Sequence, residues 1–154
     1  MTLPERMMGL ALEEAALALA RGEVPVGAVI GRGELVLARA HNLRQTLQDP
    51  TAHAELLAIR AAAKALGSRR LTGCQLYVTL EPCPMCAGGM VMAGLERCYF
   101  AAADPGQGCC ESVYALTQEP SFTHRLPCVG GLREAEARAL LDRFFQARRD
   151  AKEG

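Results

Sequence analysis

Two short segments of this 154-residue chain hold residue types that can do chemistry together: His53-Ala54-Glu55 and Pro82-Cys83-Pro84-Met85-Cys86. One imidazole and two thiols form a donor set that Zn2+ accepts, and three protein ligands leave the fourth tetrahedral position free for water, as a catalytic site needs. Cys83 and Cys86, three apart at the expected start of a helix, lie side by side, and the exposed N–H groups there favour thiolate over thiol. Two thiolates neutralise the ion's charge, so its water is acidified less than at a site of three imidazoles, and a nearby base becomes necessary. Glu55 is the candidate: it is no ligand, but it can take the proton of a zinc-bound water and pass it to a ring nitrogen and a leaving amine. That division of labour describes hydrolytic deamination of an amidine-like ring carbon. Taken alone, Cys-x-x-Cys suits half of a closed structural zinc site or a redox pair equally well, with His41, His124 and the other five cysteines as formal further ligands. The adjoining His-Ala-Glu tips the balance, because a structural site has no use for Glu55.

The elements that must position these residues follow from periodicity and caps. Thr2 and Glu5 form a capping box ahead of a first helix running to Gly22. Val24 to Ile30 and Leu35 to Ala40 read as strands joined by a turn at residues 31–34. Ala52, Leu56, Ile59, Ala63 and Leu66 give a second helix one buried stripe, with Thr51, or else Asp49-Pro50, as its cap and Gly67 as its stop. A strand from Leu76 to Leu80, a helix from Pro84 to Ala93 and a strand from Arg97 to Ala103 come next. Turn chemistry at 104–108, a short helix around Ser112 to Leu116, a strand near His124 to Val129 and a long helix from Arg133 to Lys152 complete the chain. Alternating strands and helices make the class α/β, and the opening hairpin makes the sheet mixed. Residues two apart point about 200° from each other on a helix, so His53 and Glu55 converge only if the helix end itself faces the site.

Length, 50% hydrophobic content and the lack of any linker-like stretch predict one domain over residues 1–154. Seventeen basic and seventeen acidic residues cancel, so no overall field draws the chain to nucleic acid or to an anionic membrane. Seven cysteines, all from position 74 onward, are an odd number in a chain large enough to fold without staples, which argues against a disulfide framework. Glu5, Glu13 and Glu14 interrupt the N-terminal apolar stretch, and no run is long enough to span a bilayer. The expectation is a cytoplasmic protein with no membrane partner. Cys74, Cys98, Cys109, Cys110 and Cys128 read individually as small buried hydrophobes.

With both motifs in hand, the chain resembles the zinc-dependent cytidine and deoxycytidylate deaminase superfamily. It is most similar there to the bacterial tRNA-specific adenosine deaminases. Pro25-Val26-Gly27-Ala28-Val29, Asn42, Asp49 to Glu55 and Leu76 to Cys83 carry the likeness, which extends to Phe144-Phe145 and Arg148-Arg149. The resemblance implies a three-layer α/β/α fold around a mixed sheet of about five strands, and one Zn2+ per chain on His53, Cys83 and Cys86. It also implies a homodimer that converts adenosine to inosine at the first anticodon position of a tRNA. By the same analogy Asn42 contacts the flipped purine and Asp104 the nearby ribose, while Phe145 with Arg148 or Arg149 meets the anticodon loop. The chain departs from the family at Ala103 and Gly106, where an arginine and a lysine-like residue usually flank the Asp, so two phosphate-facing charges are missing.

The residues themselves give RNA one foothold. From Arg138 to Lys152 five basic residues face two acidic ones, a local balance of 5 − 2 = +3. Such a balance also suits the solvated face of an amphipathic helix. Adjacent Phe144 and Phe145, however, diverge by about 100° and cannot both face one core, which leaves an aromatic beside arginines, as stacking on an unpaired base requires. The rival readings are a deaminase of a free base or nucleoside, of guanine or cytidine type, and a non-enzymatic zinc-stabilised binding module.

Overall fold

A computed structural model describes residues 1–153. Helix α1 (Leu3–Ala20) opens with the expected capping box, Thr2 and Glu5 each accepting from or donating to the other. Strands β1 (Gly27–Arg32) and β2 (Leu35–His41) form an antiparallel hairpin, and β1 pairs antiparallel with β3 (Gln75–Leu80) on its other side. Strands β4 (Arg97–Ala102) and β5 (Cys128–Val129) continue the sheet in parallel, giving the order β2-β1-β3-β4-β5. Side chains alternate between the two faces, as the two-residue period demands. Ala28, Ile30, Leu76 and Val78 pack with Ala54, Ala58 and Ala62 of α3 (Ala54–Leu66) and with Met90 of α4 (Pro84–Ala93). Val29 and Tyr77 turn to the opposite face, against Met7, Met8 and Ala11 of α1 and Leu141 of α5 (Glu134–Glu153). The result is the expected three-layer α/β/α arrangement with a mixed five-stranded sheet. Gly27 lets α1 close on β1: any Cβ there would overlap the carbonyl of Ala11. No helix among the described residues is long and apolar enough to cross a membrane.

Three expectations are corrected, each for a hydrogen-bonding reason. Thr51 does not cap α3; its N–H and hydroxyl both bond Asp49 Oδ1, at 2.8 and 2.7 Å, closing a side-chain turn, and the helix starts with His53 as N-cap. The expected helix at 112–116 is absent, because the N–H groups of Val113 and Leu116 reach back past their i−4 partners to the carbonyls of Gly108 and Cys109, at 2.8 and 3.1 Å; a 3-10 turn follows at Leu116–Gln118. The strand expected over 124–129 shrinks to Cys128–Val129, since the Leu126 N–H goes to Thr117, the His124 ring to the Leu95 carbonyl, and Pro127 has no N–H to give. One element was not expected at all: α2 (Arg44–Leu47), a single turn in the polar stretch after β2.

Candidate active site

Both reactive segments are helix N-termini that meet beyond the carboxyl end of β3. His53 is the N-cap of α3, Cys83 the N-cap of α4, and Cys86 the third residue of α4. The two N-cap residues keep extended backbones (φ −77° and −75°), and neither side chain makes the usual capping hydrogen bond to its helix, so imidazole and thiol face each other. His53 Nδ1 stands 3.6 Å from Cys83 Sγ and 3.5 Å from Cys86 Sγ. A tetrahedral ion with a bond of about 2.0–2.1 Å to nitrogen and 2.3 Å to sulfur sets N···S edges of about 3.6 Å. The three side chains therefore fit zinc. Among the described residues the group takes in no fourth His, Cys, Asp or Glu. Of the formal alternatives, His41 Nδ1 sits 2.9 Å from Glu14 and His124 is bound to the Leu95 carbonyl.

The electrostatics suit a cation and a base. A hydrogen bond from Cys86, helped by His53 and opposed by burial, holds the Cys83 thiol down to about 4. The same bond, together with burial and the facing Glu55, pushes the Cys86 proton the other way. A divalent ion would displace the protons of both thiols. Glu55, the second residue of α3, is buried, and its Oε1 has no hydrogen-bond partner. Burial pushes its carboxyl up to about 7, against the pull of its own backbone N–H and of His53. A buried carboxyl oxygen without a partner marks the place where a proton donor is expected.

His53, Glu55 and Cys83 line a cavity of about 200 Å3 whose wall also includes Asn42, Asp104 and Phe145. Asn42 is held by the Val24 carbonyl (3.3 Å) and the Arg44 N–H (3.1 Å), which leaves one amide hydrogen and one lone pair toward the cavity. Asp104 Oδ1 accepts from the N–H groups of Gly106 and Gln107 at 3.1 and 3.3 Å and so closes its own turn. Phe144 is 7% exposed and Phe145 46%, the split that their adjacency requires. Arg148 lies 5.6 Å over the Phe144 ring and borders a second cavity that it shares with Asn42 and Arg44. Arg149 bonds Gln146 at 2.6 Å and borders neither cavity, so the structure does not bring it to the site. Arg138, the first of the basic residues in this stretch, donates to the Ala103 carbonyl at 3.0 Å and fastens α5 to the end of β4.

Sequence reasoning missed three residues. Arg44 lines both cavities and brings a positive charge to their shared rim. Glu81 is buried and receives the N–H groups of Asp104 (3.0 Å), Cys110 (3.2 Å), Glu111 (2.8 Å) and Ser112 (2.9 Å), plus the Ser112 hydroxyl. Burial raises its pKa, but these donors outweigh that and hold it below the usual value. Glu23, also buried, caps α2 from outside by accepting from Gln45 (3.0 Å) and Thr46 (2.6 Å). The two carboxylates fix the loops that carry Asp104 and Asn42. Gly108 is required for the first of these, since any Cβ there would overlap the Glu81 carboxyl.

The comparisons with known proteins agree with this geometry. Residues 1–102 match the cytidine and deoxycytidylate deaminase zinc-binding region. A tRNA-specific adenosine deaminase of Bacillus subtilis (strain 168) is 48% identical over 152 residues, 99% of this chain and 94% of that protein. A solved structure from work on A-to-I editing by tRNA:A34 deaminases at the wobble position superposes with a TM-score of 0.85 at 45% identity, covering 88% of this chain and 99% of that one. A guanine deaminase from Nitrosomonas europaea reaches a TM-score of 0.79 at 25% identity, covering 92% of this chain and 84% of its own. Helix ends, donor set and near full-length kinship agree: the chain belongs to the zinc-binding cytidine and deoxycytidylate deaminase family, within its tRNA-specific adenosine deaminase branch.

Proposed function

We propose that this chain, as one domain over residues 1–154, hydrolytically deaminates adenosine to inosine at the wobble position of a tRNA anticodon. The observation that carries the reading is the buried, unpartnered Glu55 Oε1 sharing a cavity with His53 and Cys83, two of the three zinc-spaced donors, with Cys86 Sγ 3.5 Å from His53 behind them. His53, Cys83 and Cys86 would hold one Zn2+, which when bound supplies Lewis-acid activation of water. Glu55, with its pKa near neutrality, is placed to accept a proton and return it to the purine ring nitrogen and then to the departing ammonia. Asn42 offers a hydrogen to one purine edge and an acceptor to another, which fixes the ring over Glu55. Val24, Val26 and Leu80 supply an apolar wall. Asp104 meets the ribose, exposed Phe145 stacks on a neighbouring base, Arg148 and Arg44 meet phosphates at the cavity rim, and Arg149 adds charge farther along the same helix.

The decisive test is inosine formation in an anticodon stem-loop with adenosine at the wobble position, run beside free guanine, cytidine and adenosine. Turnover of the stem-loop alone is expected; turnover of free guanine or cytidine alone would move the chain to the base-deaminase reading. Replacing Arg148 and Arg149 by Ala should raise KM for the stem-loop with kcat nearly unchanged. It should also flatten the dependence of log KM on log salt by about 0.7 for each phosphate left without its arginine. Because only Arg148 borders a cavity, R148A should account for most of the change. The same proposal includes a cytoplasmic homodimer, supported by the exposed apolar side chains Met85, Met92, Val113 and Tyr114. Sedimentation at micromolar concentration tests the dimer.

A further inference from the structure

Five cysteines lie outside the zinc-spaced group, and three of them converge. Cys98 is on β4, Cys128 is its partner in the parallel pair with β5, and Cys110 comes from the loop that follows β4. Their three sulfurs all lie within 4.8 Å of one another. Cys98 and Cys110 are buried and Cys128 is partly exposed. Thr117 is fully buried, and among the described residues its hydroxyl makes one hydrogen bond, to Cys128 Sγ at 3.3 Å. None of these residues lines the cavity that holds His53 and Glu55.

We infer that Cys98, Cys110 and Cys128 form a second metal centre, a three-thiolate site for a thiophilic d10 cation, Zn2+ or Cu+. The midpoint of a triangle with 4.8 Å edges is about 2.8 Å from each corner, so the sulfurs need to draw in by only about 0.5 Å to reach the 2.3 Å typical of a metal–thiolate bond. Soft sulfur ligands select such ions, and an iron–sulfur cluster is disfavoured because it takes four cysteines. Binding would release the thiol protons, and the ion offsets the charge of the thiolates left behind, Zn2+ reducing it to −1 and Cu+ to −2. The Thr117 hydroxyl then donates to the Cys128 thiolate, the outer-sphere bond that ligating sulfurs receive at metal centres.

The site would act on the catalytic loop without touching substrate. The Cys110 N–H donates to Glu81, whose carboxylate also holds the Asp104 N–H, so an ion on Cys110 ties that loop to β4 and β5. Elemental analysis of protein purified anaerobically, then titrated with Zn2+ or Cu+ under reductant, is expected to give two ions per chain, falling to one in C128A. The element found distinguishes zinc from copper. One ion in the wild type that persists in C128A, or two ions in both proteins, would overturn the inference. One ion that survives Cys83→Ala but not Cys128→Ala would support it while counting against the first site. Should C128A fail to fold, cadmium-113 NMR of the cadmium-loaded wild type decides. A resonance with the shift of three sulfur ligands, beside that of a nitrogen and two sulfurs, is expected; the latter alone overturns the site.

Discussion

The Glu55→Gln protein should fold, bind zinc and turn over substrate at least 10^2- to 10^4-fold more slowly, the range that a positioned proton shuttle contributes. The amide keeps the shape of the side chain but can neither accept a proton nor return it. Metal content should stay at the wild-type value because Glu55 is not among the ligand atoms. A variant that loses its metal or its fold would instead indicate a structural site. The same substitution should stabilise the chelator-treated protein. A carboxyl raised from 4.5 to about 7 on folding binds its proton more tightly in the native state, so native stability declines as pH rises between those values and stays reduced above them. The penalty is on the order of 3 kcal/mol above pH 7. Urea melts of wild type and E55Q should therefore nearly coincide at pH 4.5 and differ at pH 8, with the variant the more stable. A base held buried and unpartnered for catalysis destabilises the resting fold, and its removal shows by how much.

The second large effect belongs to a residue that never meets substrate. Glu81→Gln should lower stability by about 3 kcal/mol or more and also impair turnover. Both carboxylate oxygens of Glu81 receive N–H groups, so an amide must point its own hydrogens at one of these donors. The sign with pH is opposite to that of Glu55. A carboxyl held below its ordinary value contributes stability that is complete above about pH 4.5 and is lost as pH falls through the native value. Wild type should weaken on acidification below 4.5, and E81Q should lack that component. Hydrogen exchange at the amides of Asp104, Cys110 and Glu111 should rise selectively in the variant. Unchanged exchange there would mean that Glu81 does not organise the loop.

The contrast between these two glutamates explains what the sequence revealed. His53, Glu55, Cys83 and Cys86 were legible because metal chemistry demands particular side chains at particular spacings, and because two-residue spacing at a helix N-terminus has one useful outcome. The α/β class was legible because strand-like runs alternate with stretches of helical period, whereas the three layers followed from the family resemblance, since the strand around Val29 is apolar on both faces. Glu81 and Glu23 were not, since their partners are backbone N–H groups donated by residues of any type. The absent helix at 112–116 is the reverse of that blindness: local periodicity favours it, and the carbonyls of Gly108 and Cys109 take the N–H groups of Val113 and Leu116 that it would need. The cysteine triangle was equally unreadable. Nothing in the positions 98, 110 and 128 says that one register pair and one loop bring three sulfurs together.

Glu81 gathers the loop after β4 mostly through main-chain N–H groups, leaving positions 106, 107 and 111 of that loop without side-chain commitments. Gly106 and Gln107 present only N–H groups to Asp104, and Glu111 only its N–H to Glu81. Exchanging their side chains should re-tune how a long polynucleotide is gripped while the reacting atoms stay in place. The rim of this pocket is thus open to evolution and to design in a way that its floor is not: Gly106→Lys can add a charge that meets a phosphate, whereas no comparable freedom exists at Gly108.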